Sequence, residues 1–69
     1  MRWYNCHITS DNCFLRIYHV NTSSAMWCAK EFGRCESGEA VTVYTKSGKP
    51  VSRVLWSSEN GGHYVRVKV

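Results

Sequence analysis

The sequence has little proline, few acidic residues and no long apolar run. Proline occurs once and Asp or Glu five times in 69 residues. No apolar stretch approaches the roughly 20 residues of a membrane span, and no signal peptide opens the chain. A DNA-mimicking inhibitor needs a strongly acidic surface, which five carboxylates cannot supply. We therefore predict a cytoplasmic protein with no membrane partner that is not a DNA mimic.

The residue patterns of an active site are also missing. Neighbours on a strand point to opposite faces, so Cys6 and His7 cannot form a direct nucleophile–base pair. The acidic residues fall in predicted loops or on the predicted helix, with no convergent pair for acid–base catalysis. No glycine motif precedes a helix as a phosphate-binding loop would. We predict a non-enzymatic protein without a cofactor.

The four cysteines are spaced as Cys6-x6-Cys13 and Cys28-x6-Cys35. Structural zinc sites usually draw ligand pairs from shorter knuckles, and a cytoplasmic chain keeps its thiols reduced. Buried cysteine behaves as a small hydrophobic residue. We predict core thiols for Cys6, Cys13 and Cys28, and no metal site. A disulfide and a zinc site with cysteine and histidine ligands stay open as alternatives.

The apolar content is sufficient for one small core. Apolar residues make up 43% of the chain and include three tryptophans, a composition that argues against disorder. A chain of this length has room for a single domain, residues 1–69. Nine Lys and Arg residues give a net charge of +4. This excess either favours an anionic partner or serves solubility alone.

Residues 40–69 predict a meander of three antiparallel strands. Apolar residues alternate in three runs, and the turn dipeptides Ser47-Gly48 and Asn60-Gly61 separate the runs. Glycine at the second turn position supplies the positive φ of a primed hairpin turn. Two-residue turns at these places also fix which residues pair across the strands.

In that register Val41 pairs with Val54, Val54 with Val67, and Trp56 with Val65. One face is then predicted to be buried under a helix. It comprises Val41, Val43, Val54, Trp56, Val65 and Val67. The opposite, outward face comprises Tyr44, Val51, Arg53, Leu55, Tyr64, Arg66 and Lys68.

Residues 2–9 and 13–20 predict a β-hairpin around Asp11-Asn12. This turn sets Cys6 opposite Ile17, Ile8 opposite Leu15 and Tyr4 opposite His19. The predicted inner face carries Tyr4, Cys6, Ile8, Cys13, Leu15 and Ile17. The predicted outer face carries Trp3, His7, Phe14, Arg16 and Tyr18. A slip of one residue would exchange the faces of one strand.

Residues 21–33 predict a helix of about three turns. Thr22 or Ser23 is the expected N-cap, and Gly33 suits the position after the helix end. Apolar residues recur with helical spacing and form a narrow stripe that covers the sheet. The stripe comprises Ala25, Cys28, Ala29 and Phe32.

The outward side chains mix aromatic rings with cations. The candidate binding residues are Tyr44, Arg53, Tyr64, Arg66 and Lys68, joined by Arg16 and Tyr18 if the hairpin extends the same sheet. Such a mixture suits base stacking with phosphate contacts, and it also suits a protein interface. Cross-strand packing of long amphipathic side chains on an exposed sheet face remains an alternative.

The order strand–strand–helix–strand–strand–strand is carried by three segments: the TSSAMWCAKEFG helix, the VTVYTKSGKPVSRVLW hairpin and the ENGGHYVRVKV end. On about seventy residues this order resembles the small phage-encoded anti-CRISPR proteins. It is most similar to a type I inhibitor in which one helix packs on a five-stranded antiparallel sheet. The resemblance implies an α+β fold of that kind. It also implies a bacterial Cas protein or the assembled surveillance complex as the partner.

We therefore expect a phage or mobile-element inhibitor that occludes a nucleic-acid or protein surface of a bacterial defence nuclease. A stand-alone module that binds DNA or RNA is the alternative. Both a monomer and a homodimer are compatible with exposed edge strands.

Overall fold

One helix packs on a five-stranded antiparallel sheet, which confirms the predicted α+β fold. The computed structural model describes residues 2–9, 15–32 and 39–69. The predicted turn at Asp11-Asn12, together with Cys13, Phe14, Gly33 and Cys35, lies outside these residues. The strands follow the spatial order β2-β1-β3-β4-β5. The elements are β1 (Tyr4–Thr9), β2 (Leu15–Val20), α1 (Ala25–Phe32), β3 (Ala40–Tyr44), β4 (Pro50–Ser57) and β5 (His63–Val67).

Helix α1 begins one or two residues later than the sequence predicted. The Ser24 hydroxyl accepts a hydrogen bond from Trp27 N at 3.2 Å, so Ser24 is the N-cap. Thr22 is engaged one step earlier, because its hydroxyl accepts from Ser24 N at 3.2 Å. None of the described helices is long and apolar enough to cross a bilayer.

The core lies between α1 and the face of the sheet that it covers. The predicted helix stripe is confirmed, since Ala25, Cys28 and Ala29 are buried and Phe32 packs against the core. Small residues on the stripe let the helix backbone approach the sheet closely. The buried sheet residues beneath it are Cys6, Ile8, Val20, Val41, Val43 and Val54.

The β3–β4 connection has a three-residue loop instead of the predicted two-residue turn. Thr45 N donates to Lys49 O and Gly48 N donates to Thr45 O, both at 2.9 Å. Gly48 has a φ of 89°, the positive value that closes such a loop.

A β-bulge then restores the predicted β3–β4 pairing. Tyr44 pairs with Pro50 while Val43 pairs with Ser52, so one residue of β4, Val51, has no partner in β3. The extra loop residue and the extra strand residue cancel. The predicted pairing of Val41 with Val54 is therefore confirmed.

The predicted β4–β5 register is wrong by one residue. Trp56 pairs with Tyr64, Val54 with Arg66, and Arg53 with Val67. The cause is the connection between Ser57 and His63, which holds five residues where a two-residue turn was expected. This exchange moves every β5 side chain to the opposite face from the one predicted.

The β1–β2 register is also wrong by one residue. Cys6 pairs with Tyr18, Ile8 with Arg16, and Tyr4 with Val20. The β1 faces are as predicted, with Cys6 and Ile8 buried. On β2 the faces are exchanged, so that Arg16 and Tyr18 lie on the covered side and Ile17 lies on the other.

Candidate binding surface

The sheet face away from α1 is called the open face here, and it is built from cross-strand rows. The central row crosses all five strands and consists of Ile17, His7, Thr42, Arg53 and Val67. The row on one side consists of Thr9, Ala40, Leu55 and Val65. The row on the other side consists of His19, Asn5 and Tyr44.

Large apolar side chains of the open face are exposed. Ile17 is 56% exposed, Val65 41% and Leu55 36%. Arg53 is the only Lys, Arg, Asp or Glu residue in the three rows. The face therefore combines exposed apolar side chains with uncharged polar groups and one Arg near its middle, and it differs from the mixture of aromatic rings and several cations that the sequence predicted.

Aromatic and imidazole rings stand at one end of the open face. The rings of His7 and Tyr44 have centroids 4.6 Å apart, and those of Trp3 and His19 are 5.0 Å apart. Trp3 is 48% exposed. These pairs link β1 to both of its neighbours, which fixes the orientation of rings that also offer contact area to a partner.

The predicted binding residues do not form one surface. Tyr44 and Arg53 lie on the open face as predicted. Tyr64 lies on the covered side, where its ring meets Trp56 edge-on with centroids 5.0 Å apart. Arg66 is on the same side of β5, and with Lys68 it lines a groove beside the start of α1. The assignment of Tyr64, Arg66 and Lys68 to the outward face is therefore wrong.

Arg16 joins elements within the fold and is absent from the open face. Its Nη2 donates to Glu39 Oε1 at 2.8 Å, and its Nη1 donates to Phe32 O, the last helix residue, at 3.4 Å. Glu39 is completely buried. The ion pair therefore ties β2 to the entry of β3 and to the helix end. Glu39 was missed by sequence reasoning, although it continues the alternation of Val41 and Val43.

Tyr18 also belongs to the covered side. Its ring stacks on that of Phe32 with centroids 4.3 Å apart and planes 9° apart. The contact extends the helix stripe to the edge strand β2. Both hairpin residues proposed for binding, Arg16 and Tyr18, thus serve to attach the hairpin to the helix.

Cys6 and Cys28 are free thiols buried between β1 and α1, as predicted. Burial raises the pKa of the Cys6 thiol well above its ordinary range, and its hydrogen bond to Cys28 raises it further. The pKa of Cys28 is also raised, mainly by burial, although accepting that bond works in the other direction. Both groups are therefore held as neutral, unreactive thiols.

The structure separates the candidate metal ligands that it describes. Cys6 and Cys28 lie in the core, whereas His7 and His19 stand on the open face. Among residues 2–9, 15–32 and 39–69, no three His, Cys, Asp or Glu side chains are grouped to hold a metal ion.

Comparison with protein-family models, with curated proteins and with solved structures finds no match for this chain.

Proposed function

We propose that this chain is a small non-enzymatic binding protein that docks a partner protein through the open face. The observation that carries the proposal is the exposure of large apolar side chains on the open face, Leu55 and Val65 on neighbouring strands and Ile17 on edge strand β2, with Tyr44 and Trp3 at one end. Exposed apolar surface on so small a protein is typical of an interaction site. Aromatic residues and arginine are also enriched among interface hot spots.

The charge of the open face indicates what it binds. Arg53 supplies the one positive charge of Lys or Arg in these rows, beside the exposed Leu55 and Val65, so the matching partner surface has apolar groups and a carboxylate opposite Arg53. Phosphate-dominated binding would need several cations on one face. The open face therefore suits a protein better than a nucleic acid.

The first partner to test is a bacterial Cas protein or surveillance complex, which the chain would inhibit by occluding one of its surfaces. Support comes from the resemblance to the phage-encoded type I inhibitors, whose arrangement of one helix on a five-stranded antiparallel sheet this chain shares. In this proposal the protein has a phage or mobile-element origin and acts in the host cytoplasm.

The test is capture of purified Cas proteins and assembled complexes by the immobilised chain. The variant Tyr44→Ser/Arg53→Glu should reduce capture about tenfold or more, because removing a hot spot costs about 2 kcal/mol. The matched control is Trp27→Ser/Lys30→Glu, which makes the same kinds of change on exposed positions of α1. Equal capture by both variants would remove the open face from the proposal.

The alternative function, nucleic-acid binding, has its own observation in the exposed Arg66 and Lys68. A mobility-shift titration with single- and double-stranded DNA and RNA distinguishes it. Phosphate contacts predict a log–log salt slope near −0.7 to −0.9 for each contact. A shift that Arg66→Glu/Lys68→Glu removes, and that the open-face variant leaves intact, would favour this alternative.

A further inference from the structure

A groove lies at the end of the sheet where β5 finishes, and Arg53 and Val67 of the open face's central row take part in its lining. Among the described strands, β5 pairs with β4 alone and forms an edge of the sheet. The groove lies between the start of α1 and the last residues of β5 and has a volume of about 400 Å³. Met26, Val54 and Val69 contribute apolar walls, and Arg53, Arg66 and Lys68 contribute the cations.

From this arrangement we infer that the β5 edge binds an extended peptide segment in which acidic and apolar residues alternate, as a sixth strand. The unpaired backbone groups of an edge strand are a template for such an addition. Successive residues of β5 face opposite sides of the sheet, with Arg66 on the covered side and Val65 and Val67 on the open side. A segment lying beside β5 would meet cations on one side and valines on the other.

Charge complementarity selects the acidic partner. Among residues 2–9, 15–32 and 39–69, no Asp or Glu lines the groove, and Arg66 and Lys68 are both exposed. Opposite charges placed across neighbouring strands stabilise the pair, and like charges destabilise it. Glutamate side chains on the covered side of the added strand would face both cations.

The same charges disfavour pairing of β5 with the β5 strand of a second copy of this chain. An antiparallel pair of β5 strands would bring the Arg66 and Lys68 side chains of the two copies together without a carboxylate in either strand. A nucleic acid is also a poorer fit, because none of the described residues that line the groove is aromatic and able to stack on a base.

Two backbone donors at the start of α1 are already engaged within the fold. Ala25 N donates to the Ser52 hydroxyl at 2.8 Å, and Trp27 N donates to the Ser24 hydroxyl at 3.2 Å. Of the charged groups that line the groove, Arg66 and Lys68 are the two carried by β5 and its end, beside which the added strand would lie.

The experiment is a titration of the ¹⁵N-labelled full chain with three synthetic peptides, capped at both ends. The first alternates glutamate and valine, the second replaces each glutamate by lysine, and the third keeps the glutamates but replaces the central valine by proline. Binding of the first peptide alone, with amide shifts centred on Val65–Val69, is the expected result. Proline removes an amide hydrogen that the added strand needs, so the third peptide should bind more weakly.

Charge-reversed variants locate the binding. Arg66→Glu/Lys68→Glu should weaken binding of the first peptide about tenfold or more, since two favourable cross-strand pairs become repulsive. The matched control is Lys46→Glu/Lys49→Glu, which makes the same change of net charge in the β3–β4 loop. It should bind the peptide nearly as the parent does.

Four results would overturn the inference. They are equal weakening by the two variants, equal binding of the proline peptide, concentration-dependent dimerisation through β5 in place of peptide binding, and tighter binding of an oligonucleotide at the same amides. A folded spectrum for each variant ensures that lost binding is not lost structure. A milder variant, Arg66→Gln/Lys68→Gln, provides the same test should charge reversal unfold the chain.

Discussion

The covered and open faces of the sheet use their polar groups in different ways. On the covered face polar groups join separate elements, as in the Arg16–Glu39 ion pair and in Ser52, whose hydroxyl accepts from Ala25 N and donates to Ser23 O. On the open face the ring contacts join neighbouring strands of the sheet. The covered face therefore specifies how helix and sheet fit together, and the open face is left available to a partner.

The Arg16–Glu39 pair should give the largest effect of a single substitution. Arg16→Met would leave the buried Glu39 carboxylate without its cation, and breaking such a pair costs about 3 kcal/mol of unfolding free energy. Urea denaturation measures the loss. Arg53→Met, the same change on the open face, should cost about 0.5 kcal/mol or less. Equal losses would contradict the division between the faces.

Replacing both partners of the ion pair sharpens this result. Arg16→Met/Glu39→Met removes the stranded carboxylate, so the double variant should regain most of the stability lost by Arg16→Met. A double variant as unstable as the single one would show that the loss comes from the methylene packing of Arg16 and not from its charge.

The alternation of apolar and polar residues in β2 could not show which face of the strand is buried. In LRIYHV, Leu15 and Ile17 suit a core as well as Tyr18 and Val20 do. The structure exposes Ile17 because Arg16 reaches Glu39 and Tyr18 stacks on Phe32. These partners lie 23 and 14 positions further along the chain. Local periodicity carries no information about them.

The remaining errors came from loop length. The strands, the helix stripe and the Val41–Val54 pairing followed from periodicity and turn residues. The faces of β5 did not, because a five-residue connection replaced the two-residue Asn60-Gly61 turn. An odd change in loop length reverses all side chains of the next strand. The candidate site depended on those faces, so only Tyr44 and Arg53 of its seven residues remain on the open face.

Gly62 should give the second-largest effect. Its φ is 94°, and a Cβ at this position would overlap the Trp56 ring of the covered face. Gly62→Ala should lower the unfolding free energy by about 2 kcal/mol more than Gly61→Ala, since overpacking adds to backbone strain. Gly61 is the matched control because its φ is 88° and its Cβ would meet nothing within 4 Å. Equal losses of unfolding free energy from the two substitutions would show that the Trp56 ring does not pack against Gly62.

A pair of identical substitutions compares the faces directly. Val54 is buried on the covered face, and Val65 is exposed on the open face. Val54→Thr should cost about 1.5 kcal/mol because it buries a hydroxyl, while Val65→Thr should cost about 0.5 kcal/mol or less. Thermal or urea unfolding measures both. Similar losses from the two substitutions would restore the β5 register that the sequence predicted, in which both valines are buried.

Ionisation of the buried thiols should have no effect near neutral pH, and its effect is confined to alkaline solution. The raised pKa values of Cys6 and Cys28 mean that folding disfavours their thiolates. The stabilisation that comes from burying the two neutral thiols is therefore complete below the unfolded-state cysteine pKa of about 8.5. It is lost progressively as the pH rises above that pKa. The urea midpoint should fall between about pH 7 and about pH 10 more steeply in the parent than in Cys6→Ala/Cys28→Ala. Parallel pH profiles would indicate thiols in contact with solvent.

The bulge at Val51 has a consequence for how the chain tolerates changes of length. Val51 is a residue of β4 without a partner in β3. If Val51 were deleted, Tyr44 would still pair with Pro50, and Val43 would follow directly as the partner of Ser52, so Val41 would still face Val54. The pairing of β3 with β4 therefore does not need Val51. This hairpin should tolerate the loss of that single residue without exchanging the faces of either strand.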